Sequence, residues 1–225
     1  MADFYINGKS NEDFNCRLLS SWKVGGTGIE RKRLKKAGMA QGFLTMSTEY
    51  GLRKIELPLH FRGKTPEEAH KHLSEFTAEA LADGDLLMPD GFWYFYSLDE
   101  ISEKEEISLE GRIVECTFTF LGVAHDPLVR AEGNFHALGT APKMAAKFSC
   151  TVAETGTNYD LAGVTFSNVT AGDVLVVDGI NTKVTRNGHN AFANTDLIEF
   201  PTIAPGYNEI SCTDTAVTEY YPIWV

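Results

Sequence analysis

With 31 acidic residues in 225, the chain could bring two carboxylates within the roughly 5 to 9.5 Å that glycoside hydrolysis requires. No spacing singles out a pair. His125 stands beside Asp126-Pro127 and His189 beside Asn187-Gly188. Both contexts read as turns, where a lone imidazole is far more often a surface residue than a base. His70 and His72, two residues apart in a helical stretch, point in different directions and make no helical metal pair. There is no GxSxG elbow for a serine nucleophile, no HExxH for zinc hydrolysis and no GxxxxGK[ST] phosphate loop. Val24-Gly25-Gly26-Thr27-Gly28-Ile29-Glu30 is glycine-rich, but it lacks the third glycine of a dinucleotide loop and runs into Arg31-Lys32-Arg33-Leu34-Lys35-Lys36. A flexible arm or long hairpin over about residues 24–42 is the simpler reading. Cys16, Cys116, Cys150 and Cys212 form no CxxC pair, so buried thiols are expected and neither a zinc module nor a redox motif. The expectation is a protein without catalytic residues, cofactor or metal.

Charge narrows the partners. A formal net charge of -11 and a pI near 5.0 oppose binding to nucleic acid, which needs clustered Lys and Arg. The basic run at 31–36 is such a cluster, but it has no interleaved aromatics. The opening Met1-Ala2-Asp3-Phe4 has no basic stretch followed by an apolar core, and no run reaches the roughly 18 apolar residues of a membrane span. No membrane partner and folding in a reducing cytoplasm are therefore expected.

The elements that must position any site divide at about residue 131. Over 53–61, Ile55, Leu57, Leu59 and Phe61 alternate with polar neighbours, predicting a half-buried strand. Pro58 cannot donate to a ladder, so the strand should lie at an edge or carry a bulge. Thr65-Pro66-Glu67-Glu68 predicts a capped helix start with a capping box, and Ala69, Leu73, Phe76 and Ala80 lay one apolar stripe along the helix up to Gly84. Residues 92–96 read as a strand, 99–106 as a charged connection, and 112–120 as a further strand. From about 132 no helical period recurs. Short β-rich runs at 148–153, 163–166, 174–177, 182–185, 196–200, 208–213 and 217–225 are separated by turn signals such as Asp178-Gly179 and Asn187-Gly188. The predicted fold class is an α+β N-terminal domain, 1–131, an antiparallel sheet with one packed helix. An all-β sandwich, 132–225, follows it.

Several segments in order carry a resemblance. The run Phe200-Pro201-Thr202-Ile203-Ala204-Pro205-Gly206-Tyr207-Asn208-Glu209-Ile210 and the closing Tyr220-Tyr221-Pro222-Ile223-Trp224 resemble the distal tail protein (Dit) family of siphophages. There a Pro-Gly-x-Asn turn precedes a strand and the chain ends on Pro-x-aromatic. Leu138-Gly139-Thr140-Ala141-Pro142 is similar to the turn opening that family's second domain, and Gly172-Asp173-Val174-Leu175-Val176-Val177-Asp178 to its Gly-Asp strand. Phe4-Tyr5-Ile6-Asn7-Gly8, the glycine-rich arm, Arg53-Lys54-Ile55-Glu56-Leu57, the capped helix and Cys116-Thr117-Phe118-Thr119-Phe120 follow the same order.

The resemblance implies a structural hub of the tail tip or baseplate and a galectin-like second domain. It implies a homo-oligomeric ring, usually a hexamer, that joins the tail tube protein to the tail-associated lysin or tip protein. A receptor-binding protein is a further partner in such assemblies, and DNA passes through the ring. The expected location is the virion tail tip. In this frame Gly28, Arg31, Lys32, Arg33, Lys35 and Lys36 are the candidate oligomer interface. The rival reading from the residues themselves is a carbohydrate-binding module contacting host cell-wall sugars. Its candidate contacts are Tyr207, Tyr220 and Trp224.

Overall fold

Alternating apolar and polar side chains produce sheets buried on one face, and both units of this chain are built that way. The computed structural model describes residues 3–35, 43–108 and 110–225. The chain divides into Met1–Ala124 together with Val225, and His125–Trp224.

In the first unit the strands are β1 (Tyr5–Ile6), β2 (Lys9–Ser10), β3 (Cys16–Leu18), β4 (Lys23–Val24), β5 (Ile29–Lys35), β6 (Phe43–Tyr50) and β7 (Arg53–Arg62). Helix α1 (Pro66–Ala80) is followed by β8 (Gly84–Leu87), β9 (Trp93–Ile101), β10 (Glu105–Glu106) and β11 (Ile113–His125). One sheet has the order β2-β1-β8-β9-β11-β7-β3, with β4 also on β7 and β10 also on β11. Strands β5 and β6 form a separate two-stranded ribbon.

Ile55, Leu57, Leu59 and Phe61 are fully buried, as the alternation requires. Pro58 is a departure from expectation, because β7 is neither an edge nor bulged in its register with β11. On its other side β7 is flanked by two short strands: Leu59 to Phe61 pair with β3, and Ile55 and Glu56 with β4. Pro58 falls between them. There its carbonyl accepts from the Leu19 amide, and the Leu19 carbonyl is already taken by Trp22. Pro58 thus sits at the gap between β3 and β4, where its missing N–H interrupts no strand pairing with either.

The Thr65 side chain caps α1 by accepting the Glu68 amide at 3.2 Å. Glu68 turns back one residue further than a capping box predicts, accepting from the Lys64 amide at 2.5 Å. Ala69, Phe76 and Ala80 are buried, and the Phe76 ring sits edge-on to Phe4, Phe14 and Phe118 at 6.1, 5.3 and 4.8 Å. The helix ends at Ala80, before Gly84, which opens β8 instead. The aromatic strand runs longer than its apolar stretch, taking in 99–101 that the sequence reads as connection.

In the second unit the strands are β12 (Val129–Glu132), β13 (Phe135–Ala137), β14 (Met144–Thr151), β15 (Gly156–Leu161), β16 (Val164–Val169) and β17 (Val174–Asp178). They continue as β18 (Lys183–Arg186), β19 (His189–Asn190), β20 (Thr202–Ile203), β21 (Gly206–Asn208), β22 (Val217–Tyr220) and β23 (Ile223–Trp224). The main sheet has the order β12-β22-β14-β17-β18-β19, with β20 on β14, and smaller ladders join β13 to β21 and β15 to β16. Phe148, Leu175, Val177, Thr218 and Tyr220 of the main sheet and Tyr159, Leu161 and Phe166 of the β15–β16 ladder are buried, giving an unequal sandwich.

Asn187-Gly188 makes the tight turn its residues predict, at φ 53° and 79° between paired Arg186 and His189. At Asp178-Gly179 the turn is longer: the Asp178 carboxylate accepts the amides of Ile180 and Asn181 at 3.0 and 2.9 Å. Residues 196–200 form no strand, and 208–213 contribute only the end of β21 and an isolated bridge from Cys212 to Leu161. Strand β15 is too polar for its sequence to announce. It is paired by the Ala162-Gly163 turn, at φ 56° and 79°.

Candidate assembly interface

The arm is rooted by close backbone approach. Gly25 donates to the Lys54 carbonyl at 2.7 Å, and a β-carbon on Gly25 would lie 3.3 Å from that same oxygen. Thr27 accepts from Arg53 Nε at 2.9 Å. At Gly28 the chain leaves the sheet, and at Gly51 it returns, with the Gly51 amide donating to the Gly28 carbonyl at 2.7 Å.

Between these glycines β5 and β6 pair from Ile29 with Tyr50 to Lys35 with Phe43, with a one-residue slip between Lys32 and Arg33. Ile29, Glu30, Arg31 and Lys32 are all exposed. Gly28, Arg31, Lys32, Arg33 and Lys35 thus lie on or at the root of one ribbon. Lys36 lies outside the described residues. A two-stranded ribbon is marginal by itself. Its stability has to come from something it covers.

The three aromatics of the sugar reading do not share a surface. Tyr207 on β21 is 63% exposed, with its ring 5.4 Å from His136. Tyr220 is fully buried against Phe135 at 5.5 Å, its hydroxyl accepting the Leu138 amide at 3.0 Å. Strand alternation turns it into the core, so it cannot touch a saccharide. Trp224 is half-buried. His125 is likewise not the surface residue its turn-like context suggests. It is 2% exposed at the end of β11, with Nδ1 2.9 Å from the Asp126 carbonyl and its ring edge-on to Tyr221. His189 is exposed.

A polar cluster that sequence spacing gives no sign of lies in the second unit. The Asp214 carboxylate accepts the Ala153 amide at 2.9 Å and the Tyr159 hydroxyl at 2.7 Å, which hold it below the usual carboxylate range. The half-buried Cys212 is lowered to about 7, chiefly because the Cys150 thiol hydrogen-bonds to it. That bond, with burial, raises Cys150 itself. Beside the cluster, an open depression of about 720 Å³ is lined by Arg130, Thr151, Asp214, Thr215 and Val217. Among the described residues no group of His, Cys, Asp and Glu could hold a metal ion, and no helix is long and apolar enough to cross a membrane.

Comparison with known proteins shows what these features resemble. Residues 139–224 match the family model described as siphovirus-type tail component, C-terminal domain. No curated protein matches in sequence. The crystal structure of the Dit protein (gp 19.1) of phage SPP1 has the same fold across the whole of both chains, at 13% identity and a TM-score of 0.72. That protein is described as a paradigm of the hub adsorption apparatus in phages infecting Gram-positive bacteria. A chain of the phage P2 baseplate in its activated conformation with Ca is similar at 10% identity and a TM-score of 0.55, covering 95% of this chain and 92% of that one. The corresponding Sr structure gives 10% and 0.54, with 94% and 92% covered. The likeness supports the fold read from the model, an α+β unit followed by an all-β sandwich. Residues 139–224 thus match the C-terminal domain of siphovirus-type tail components, and the chain over its whole length has the fold of the SPP1 Dit structure.

Proposed function

We propose that the chain is the hub of a siphophage tail tip: a hexameric ring that joins the tail tube protein to the tail-associated lysin or tip protein and leaves a passage for DNA. The single observation that carries the ring is the β5–β6 ribbon, which pairs with no third strand among the described residues and whose root residues Ile29 to Lys32 are exposed. A closed ring needs a head-to-tail interface, and an extended arm reaching a neighbour supplies one at low cost. The likeness to SPP1 Dit, described as a hub, supports the same reading. The net charge of -11 suits a wall that DNA slides past without sticking.

The test is direct. Purified protein mixed with its tail-tip partner should give rings by negative-stain imaging, and deleting residues 32–36 should lower the mass seen by light scattering. Full-size assemblies from the deleted variant would contradict the role given to the arm. The first unit would build the ring and the sandwich would face outward, where a receptor-binding protein or the cell surface could be met. Exposed Tyr207 is what remains of the sugar-binding alternative, and glycan-array binding abolished by Tyr207→Ala would support it.

A further inference from the structure

We infer that Cys150 and Cys212 form a redox pair, which hydrogen peroxide joins in a disulfide that staples the main sheet of the second unit to its β15–β16 ladder. The fold brings the two sulfurs together. Alternation along β14 turns Met144, Ala146, Phe148 and Cys150 inward. Cys150 lies just past the last pairing of β14 with β22, which is Ser149 with Val217. The segment leading into β22 crosses there from the other ladder. Cys212 bridges Leu161 of β15, Thr213 donates to the Asp160 carbonyl at 3.1 Å, and Asp214 accepts the Ala153 amide just beyond β14. Cys212 is thereby held against Cys150, and the two thiols hydrogen-bond to each other. The other two cysteines meet oxygen instead: Cys16 Sγ donates to the Asn11 carbonyl at 3.3 Å, and Cys116 Sγ to the Ser102 carbonyl at 3.4 Å.

The pair is open to a small oxidant. Cys212 is half-buried, and the open depression reaches Cys150 between Ser149, Thr151, Thr213 and Asp214. The two sulfurs divide the chemistry. Cys212, with its pKa lowered to about 7, supplies the thiolate. It attacks the peroxide: an S–O bond forms, the O–O bond breaks, and the departing hydroxide takes up the proton that Cys212 gave on ionising. The products are a sulfenic acid and one water. The Cys150 sulfur then attacks the sulfenic sulfur, so that an S–S bond forms and the S–O bond breaks. The second hydroxide leaves with the Cys150 proton as water. Two thiols are oxidised and one peroxide is reduced to two waters. The chief cause that raises Cys150 is its hydrogen bond to Cys212, and conversion of that sulfur to a neutral sulfenic acid removes it.

The bond would close a loop of about 60 residues, a length at which a crosslink removes much of the entropy of the unfolded chain. None of this chemistry depends on the tail-tip reading. On that reading, host lysis carries the pair from a reducing cytoplasm into an oxidising medium, which sets the staple after assembly.

The test is to reduce the full purified chain, titrate it with hydrogen peroxide, alkylate it in denaturant with iodoacetamide, and map the peptides without reduction. The expected product is one peptide joining Cys150 to Cys212 within a single chain, while Cys16 and Cys116 carry the alkyl group. The thermal midpoint of the second unit should rise by about 10 °C or more and fall back with dithiothreitol. Cys150→Ala should stop at a sulfenic acid on Cys212, trapped by dimedone. Cys212→Ala should leave Cys150 reduced at peroxide levels that close the pair in the parent. Oxidation of Cys212 to sulfinic acid beside a free Cys150 would overturn the inference. So would links between different chains, an unmoved thermal midpoint, or oxidation of Cys150 in Cys212→Ala as fast as in the parent. All these outcomes are read on the isolated chain, so none of them bears on whether it forms a ring.

Discussion

The amide of Gly51 donates to the carbonyl of Gly28 across 2.7 Å, and the arm departs and returns at that bond. Beyond it Ile29 pairs with Tyr50, and among the described residues the two strands of the ribbon pair only with each other. Replacing residues 30–49 by Asn-Gly would keep the Ile29 to Tyr50 register and close it with a two-residue hairpin turn. Because the described positions of the arm, Ile29 to Lys32 and Ser47 to Tyr50, add no buried side chain to the core, stability should stay within about 0.5 kcal/mol of the parent. Thermal melts check this. A loss of several kcal/mol would mean that the arm packs on its own unit.

Gly84 has a different reason to be glycine. A β-carbon there would stand 1.9 Å from Asn7 Oδ1. Asn7 cannot swing aside freely: Oδ1 accepts the Asp85 amide at 3.0 Å, while Nδ2 bonds Glu79 and Tyr96 at 3.0 Å each. Gly84→Ala should cost about 1–3 kcal/mol, the usual range for overpacking. In a denaturant series, Asn7→Ala combined with Gly84→Ala should cost less than the sum of the two, since the clash is then gone.

These two glycines mark the limits of what the sequence makes legible. The periodicity of Ile55 to Phe61 and of Ala69 to Ala80 is a local consequence of one-sided burial, so both elements can be read directly. Gly84 reads as a helix stop, because nothing local says that Asn7 will arrive from 77 residues away. Pro58 predicts an edge or a bulge because sequence does not reveal that two short strands will share one side of β7. Tyr220 looks like an available aromatic until the pleat turns it inward. The arm is visible as glycines around a basic run. The stretch 99–106 reads as a charged connection, whereas its first three residues extend β9 and Glu105 and Glu106 pair with β11.

Glu79 gives a pH signature. Its carboxyl is held below the ordinary value of 4.5 by hydrogen bonds first from Lys9, then from Asn7. A carboxyl with a depressed folded-state pKa stabilises the fold above its unfolded value, and that contribution disappears as pH falls through the folded value. Lys9 is largely exposed, so the contribution is that of a surface pair, about 1 kcal/mol or less. Glu79→Gln should therefore lower stability at neutral pH and converge with the parent in acid, below the depressed value. Urea unfolding across the acid range reads the difference, and a gap that stays constant with pH would contradict it.

The thiols should separate by reactivity. Cys16 is pushed up to about 12, mainly by burial, and Cys116 and Cys150 are also raised. Cys212 lies at about 7 because Cys150 donates to it, against an ordinary 9.0. The thiolate is the species that attacks an alkylating agent. In the folded protein iodoacetamide should modify Cys212 first, with a rate that rises through about pH 7, while the other three thiols wait for unfolding. Cys150→Ala removes the donor and should move the midpoint back towards 9.0. At pH 7.5 the thiolate fraction then falls steeply, but a more basic thiolate is also more nucleophilic, so the net slowing should be roughly threefold. Peptide mapping by mass spectrometry after timed alkylation reads both quantities. Equal labelling of Cys150 and Cys212, or a midpoint unmoved by Cys150→Ala, would show that the two sulfurs are not paired as described.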